Sequence, residues 1–215
     1  MNDTAPLALL EDAGLRIGNT VIIRRAKLAL RPGEKVGLLG PNGSGKTTLL
    51  RMLATLLPPT DGAGSVLGAE LGSDDIYDIR NQIVMVGHLP GLYPELTLAE
   101  NTRFVARLTG RPPEQADDAL AMVGLAGAAE RRADQCSKGM LRRAELARAL
   151  IIEPRLLLLD EAHAGLDAEA IGLVDALADR VVAAGGSAVL VSHEPDRLNV
   201  NRSVRIVDGT LGEEA

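Results

Sequence analysis

The chain has 215 residues, 46% hydrophobic and 24% charged, which is globular composition with too little net charge for disorder. Aromatic residues make up 1% and the net charge is −6, so the core must be aliphatic and a general nucleic-acid binder is disfavoured. One cysteine, Cys136, permits neither an intrachain disulfide nor a Cys-rich metal site, and no apolar run approaches the ~20 residues that span a bilayer. The first residues carry no basic leader, so a signal peptide is not expected and a membrane role would need a partner chain.

The first 35 residues read as extended. Leu7 to Ile17 and Val21 to Leu30 carry β-branched and alternating apolar residues around the turn Gly18-Asn19-Thr20. Arg31 to Glu34 is a turn, and Lys35 to Leu39 a buried strand that enters a glycine-rich loop. Thr48 to Leu53 reads as helix, closed by Pro58-Pro59, and Ile83 to Val86 as strand. Thr97-Leu98-Ala99-Glu100 has the form of a capping box, with Phe104, Val105 and Leu108 at helical spacing up to Gly110. Glu114 to Val123 is helical, stopped by Gly124. Ser137 can cap a helix from Lys138 to about Ile152, ending at Pro154. Leu156 to Leu159 is a buried strand, Asp167 to Ala183 a helix ended by Gly185-Gly186, and Ala188 to Val191 a strand. Val204 to Leu211 reads as a hairpin around Asp208-Gly209. Strands alternating with helices imply a mainly parallel α/β sheet within a single domain over residues 1–215. The stretch from about 88 to 153 is helix and loop throughout and is expected to form its own lobe.

Gly40-Pro41-Asn42-Gly43-Ser44-Gly45-Lys46-Thr47 fits the phosphate-loop pattern G-x-x-x-x-G-K-[ST], between an apolar strand and a helix that begins around Thr48. The glycines let successive backbone N–H groups turn inward as an anion nest, and the helix N-terminus adds positive potential behind them. Lys46 is a compact charge for the β- and γ-phosphates, and Thr47 offers a hard hydroxyl oxygen to Mg²⁺. A chance glycine-rich turn is the bland alternative, and the strand–loop–helix context disfavours it.

Leu156 to Leu159 is followed by Asp160 and Glu161. The aliphatics place the strand inside the sheet, and its C-terminal end lies where α/β folds bind ligands. Asp160 can hold Mg²⁺ through water, and Glu161 can take a proton from an attacking water. Two acids where a strand meets solvent is the plain alternative, which the phosphate loop disfavours. His193, at the end of the strand around Val191, can donate to a γ-phosphate or be structural; position alone leaves the two even.

Cys136-Ser137-Lys138-Gly139-Met140 alone is only the start of a capped basic helix. In order with the other elements it resembles the signature segment of the ATP-binding cassette (ABC) ATPases, usually Leu-Ser-Gly-Gly-Gln. Phosphate loop 40–47, signature 136–140, acidic strand 155–161, a D-loop at Ala164-Gly165-Leu166-Asp167 and the switch His193 all follow in the family's order. The resemblance implies a P-loop NTPase fold with a mainly parallel sheet, an N-terminal antiparallel β subdomain and an inserted helical subdomain. It implies ATP and Mg²⁺ as ligands, with Thr48 continuing the phosphate site. Two subunits, expected to form a homodimer, would sandwich ATP, with Ser137 and Gly139 of one copy covering the γ-phosphate held by the other. A transmembrane permease would take up the motion, which places the chain in the cytoplasm against the inner face of the cell membrane; no nucleic-acid partner is expected.

Three features depart from the family. His88 stands where the Q-loop glutamine is expected. No aromatic occurs before Tyr77, so adenine would meet aliphatic surface near Ile17, or Arg16, instead of a ring. Lys138 and Met140 replace a Gly and the Gln of the signature. Val86 to Thr97 looks like the corresponding stretch of haem-exporter ATPases of cytochrome c maturation, and is also similar to cassettes of drug and polysaccharide exporters. The rivals are a soluble cassette ATPase, disfavoured by the absence of a heptad run, and a GTPase, disfavoured by the absence of Asn-Lys-x-Asp. A third is a regulator without turnover, which Glu161 disfavours.

Overall fold

A computed structural model describes residues 5–87, 89–161, 163, 168–192 and 198–214. His88, His193 and the expected D-loop at 164–167 lie outside the described residues.

Two sheets carry the chain. Strands β1 (Ala8–Ile17) and β2 (Thr20–Leu30) form an antiparallel hairpin, as the alternating pattern implies. The next two strands, β4 (Asp61–Val66) and β5 (Ala69–Glu70), join the same sheet in the order β2-β1-β4-β5, all antiparallel. The second sheet has six strands. It is built around β3 (Glu34–Leu39), β6 (Ile83–Val86), β7 (Leu156–Leu159) and β8 (Ser187–Val191), with β9 (Arg202–Val207) and β10 (Thr210–Glu214) as the closing hairpin. Its order is β10-β9-β3-β8-β7-β6, parallel except for the β9–β10 pair.

Strand β7 shows why its four leucines need no polar alternation. All four are buried. Leu156 and Leu158 face a core shared with α1 (Lys46–Leu53) and the antiparallel sheet, while Leu157 and Leu159 face the helical side. A central parallel strand covered on both faces reads as continuous apolar sequence for this reason.

Between β6 and β7 the described chain is helix, 3₁₀ turn and loop. Helix α3 (Leu98–Leu108) starts at the expected capping box: Glu100 N–H donates to Thr97 Oγ1 at 3.0 Å and Thr97 N–H to Glu100 Oε2 at 2.7 Å. Helix α4 (Glu114–Met122) and α5 (Lys138–Ile152) pack with it, and α6 (Ala168–Ala183) lies on the same side of the sheet. The short α2 (Ile76–Ile79) precedes β6. No described helix is long and apolar enough to cross a membrane.

The strands β4 and β5 and the helix α2 have no counterpart in the sequence reading. Asp61-Gly62-Ala63-Gly64 looks like a turn, yet its glycines are required by crowding against β1. A Cβ on Gly62 would stand 2.2 Å from the Asp12 carbonyl oxygen, and one on Gly64 would stand 2.8 Å from Leu10 Cδ2.

Candidate active site

The loop from Gly40 to Gly45 joins β3 to α1 and is set by backbone geometry. Gly40 has φ 144° and Gly45 φ 110°, both in the region open mainly to glycine. Space forbids a side chain there as well: a Cβ on Gly40 would lie 2.2 Å from the Ile206 carbonyl oxygen, and one on Gly45 would lie 2.9 Å from Ile23 Cδ1. The loop is braced from behind by the β9–β10 turn, where Gly209 N–H donates to the Ser44 carbonyl at 3.2 Å and Arg24 N–H donates to the Gly209 carbonyl at 2.7 Å.

Lys46 opens α1 and points back into the loop. Its Nζ donates to the carbonyls of Gly40 and Pro41, both at 2.8 Å. Burial lowers the ammonium pKa from its ordinary value, and the charges of Asp160 and Glu161 oppose that shift. Thr47 Oγ1 donates to Asp160 Oδ2 at 2.7 Å, joining the loop to the end of β7. Asp160 is 2% exposed, and its N–H donates to the Val86 carbonyl at 2.9 Å. Glu161 is half-buried and has φ 50°, a left-handed conformation that costs a non-glycine residue.

A cavity of about 490 Å³ opens over the loop, with Asn42, Gly43, Lys46, Thr47, Thr48, Asp160 and Glu161 among its walls. Three features suit it to a nucleotide tail. Among the described residues no side chain caps the N-terminus of α1, which leaves its first N–H groups for an anion. Ser44 Oγ is buried without a hydrogen-bond partner among the described residues, as a hydroxyl waiting for an oxygen ligand would be. Thr47 Oγ1 and the Asp160 carboxylate present adjacent hard oxygens of the kind Mg²⁺ takes.

Of the expected site residues, the structure brings Asn42, Gly43, Gly45, Lys46, Thr47, Thr48, Asp160 and Glu161 to this one cavity. Gly40, Pro41 and Ser44 form the rest of the loop. Ser137 and Gly139 are elsewhere, at the exposed start of α5, where Ser137 Oγ accepts from Met140 N–H at 3.2 Å. The aromatic expected for adenine is again missing: Ile22 lines the cavity and Ile17 is 57% exposed. Sequence reasoning missed Arg142, which donates to the carbonyls of Gly87 at 3.0 Å, Asp160 at 3.2 Å and Glu161 at 3.4 Å. It also missed buried His163, whose Nε2 lies 3.2 Å from Asp175 Oδ1.

A phosphate loop at the C-terminal end of an interior strand of a parallel sheet, with a strand-end acid bonded to its threonine, defines a P-loop NTPase. Residues 23–164 match the family model described as ABC transporter. The chain is 37% identical over 192 residues to the cytochrome c biogenesis ATP-binding export protein CcmA 2 of Cupriavidus metallidurans, a match covering 87% of this chain and 90% of the relative. It is 40% identical over 194 residues to CcmA of Bordetella bronchiseptica, covering 89% and 86%. The Fe(3+) ions import ATP-binding protein FbpC 1 of Pectobacterium atrosepticum is 40% identical over 157 residues, but that match spans 44% of the relative. Among solved structures, the dimeric post-hydrolysis state of the ATP-binding cassette MJ0796 bound to ADP and Pi superimposes with a TM-score of 0.87 over 97% of both chains at 26% identity.

The chain belongs to the ABC transporter family. It is an ATPase that binds ATP with Mg²⁺.

Proposed function

We propose that this chain powers an exporter serving cytochrome c biogenesis, with haem as the class of cargo, from the cytoplasmic face of the cell membrane. The export relatives match over 90% and 86% of their length, whereas the iron-import relative matches over 44% of its length.

The observation that supports the chemistry is the Thr47–Asp160 hydrogen bond, which ties Asp160 to the phosphate loop, with Glu161 on the wall of the same cavity. Loop N–H groups and Lys46 hold the β- and γ-phosphates. Thr47 and, through water, Asp160 would hold Mg²⁺, which when bound would neutralise charge on the phosphate oxygens. Glu161 accepts a proton from water as the water oxygen attacks the γ-phosphorus; the bond to the bridging oxygen breaks, leaving ADP and phosphate. His193 donates to the γ-phosphate, and His88 takes the Q-loop position as a hydrogen-bonding partner for water. Ser137 and the Gly139 backbone of a second copy close the site over the γ-phosphate. ATP closes the pair, hydrolysis opens it, and the permease follows.

The test is Glu161→Gln in the full chain. It should keep ATP affinity, lose turnover and accumulate an ATP-bound dimer in light scattering; undiminished turnover overturns the general-base role. The cargo reading is tested separately by deleting the gene and measuring c-type cytochromes. Normal content rejects cytochrome c biogenesis and leaves the ATPase chemistry intact.

A further inference from the structure

Helix α5 begins at the signature segment and carries three long side chains one turn apart that reach out of the helix. The Arg142 side chain is 12% exposed, and its guanidinium fork addresses three backbone carbonyls, of Gly87 after β6 and of Asp160 and Glu161 after β7. The Glu145 side chain is 6% exposed, lies 3.8 Å from Arg142 and accepts from Gly91 N–H at 2.8 Å. Arg148 donates to the Gly91 carbonyl at 2.5 Å. Both ends of the 87–91 segment, and the peptide units bearing both acids, are therefore gripped from one helix.

A buried arginine can serve only to tie a helix to a sheet. Here two of its three acceptors belong to the two acids that face the nucleotide cavity. Glu161 holds a left-handed φ of 50°, a conformation that persists only where the surroundings enforce it. Fixing the carbonyl of such a residue fixes where its carboxylate can point.

We propose that Arg142 is a positioning residue for ATP hydrolysis: from the signature helix it holds the backbone of Asp160 and Glu161, and so the angle at which Glu161 meets the attacking water. The inference rests on the reading of Glu161 as general base. It also links the two active sites of a pair, because the helix whose start covers one ATP clamps the acids serving the other. Lysine cannot replace this function, since a single ammonium lacks the planar fork that spans separate acceptors.

The test compares Arg142→Lys, Glu161→Gln and the double variant in the full chain. Arg142→Lys should leave ATP affinity within about twofold, because the phosphate loop is untouched, and lower kcat by about ten- to a hundredfold, the cost of misplacing a reacting group by roughly 1 Å. Added to Glu161→Gln it should lower residual turnover by less than about twofold, because groups that act as a unit are not additive. Unchanged kcat in Arg142→Lys overturns the inference. So does an equal further loss in both backgrounds, which is what a purely structural tie produces. Should the lysine variant fail to fold, Arg142→Gln is measured in the same way. Wild-type turnover in Glu161→Gln alone removes the general base and this inference with it, whereas lost turnover in Glu161→Gln beside unchanged kcat in Arg142→Lys overturns this inference alone.

Discussion

The phosphate loop lines the nucleotide cavity and helix α5 grips the backbone of the two acids on its wall, yet they are built from opposite materials. The loop from 40 to 47 is mostly backbone: its shape comes from glycines at φ 144° and 110° and from carbonyls and N–H groups that meet the β9–β10 hairpin. Helix α5 is ordinary backbone whose work is done by Arg142, Glu145 and Arg148, reaching peptide groups 18 to 57 residues away in the chain. A backbone device tolerates no side chain where it has none. A side-chain device is graded, since each reach can be shortened or neutralised separately.

The largest expected effect breaks the backbone device. Gly40→Ala would place a Cβ 2.2 Å from the Ile206 carbonyl oxygen at a φ that alanine disfavours. Strain and overpacking each cost about 1–3 kcal/mol, so a loss of about 2–6 kcal/mol is expected, with ATP binding lost alongside. Denaturant unfolding and nucleotide titration check both. A stable Gly40→Ala protein that binds ATP normally would show that the loop shape is not set by its glycines.

Next in size is the sheet that carries both regions. Leu158→Ala opens a cavity on the α1 side and Leu157→Ala on the helical side; each leucine is fully buried, and each change should cost about 2–5 kcal/mol. The informative quantity is the difference between them in urea unfolding. A much smaller loss for Leu157→Ala would mean that the helical side repacks more readily and that α5 is the softer platform.

The contrast of materials also explains what could be read in advance. The loop, the capping box at Thr97 and the leucine run 156–159 are local patterns whose physics lies within a few residues, and each forms as expected. The strand at Asp61–Val66 was illegible because its glycines look like a turn until β1 is seen pressing on them. Arg142 was illegible for a different reason. Arg142-Arg143 reads as a solvated basic face, and only the fold brings the ends of β6 and β7 under the first of them. Within the site, backbone chemistry was visible from spacing, whereas long-range side-chain positioning was not.

Ser137 tests where the two devices meet, for it is both the cap of α5 and the proposed cover for a second copy's γ-phosphate. Ser137→Ala removes an oxygen that accepts from Met140 N–H at 3.2 Å and should cost about 1 kcal/mol of stability, the usual worth of a cap. A loss in thermal melting with no change in ATPase activity would confine Ser137 to capping. A fall in turnover larger than the stability loss explains would place it at the nucleotide.

The smallest effect concerns Glu145 and can be seen only as a function of pH. Burial raises its pKa above the ordinary 4.5, with the Gly91 N–H, Arg142 and Arg148 opposing that shift without cancelling it. The folded protein therefore binds this proton more tightly than the unfolded chain does. Its contribution is fully present below about 4.5 and is lost as pH rises through the folded value. Glu145→Gln keeps an oxygen to accept from Gly91 and has no proton to lose. The stability of the glutamine variant relative to wild type should increase from pH 4.5 upward, measured by urea unfolding at several pH values. The opposite slope would mean that the two arginines outweigh burial, so that α5 holds the 87–91 segment chiefly by charge rather than by hydrogen bonding.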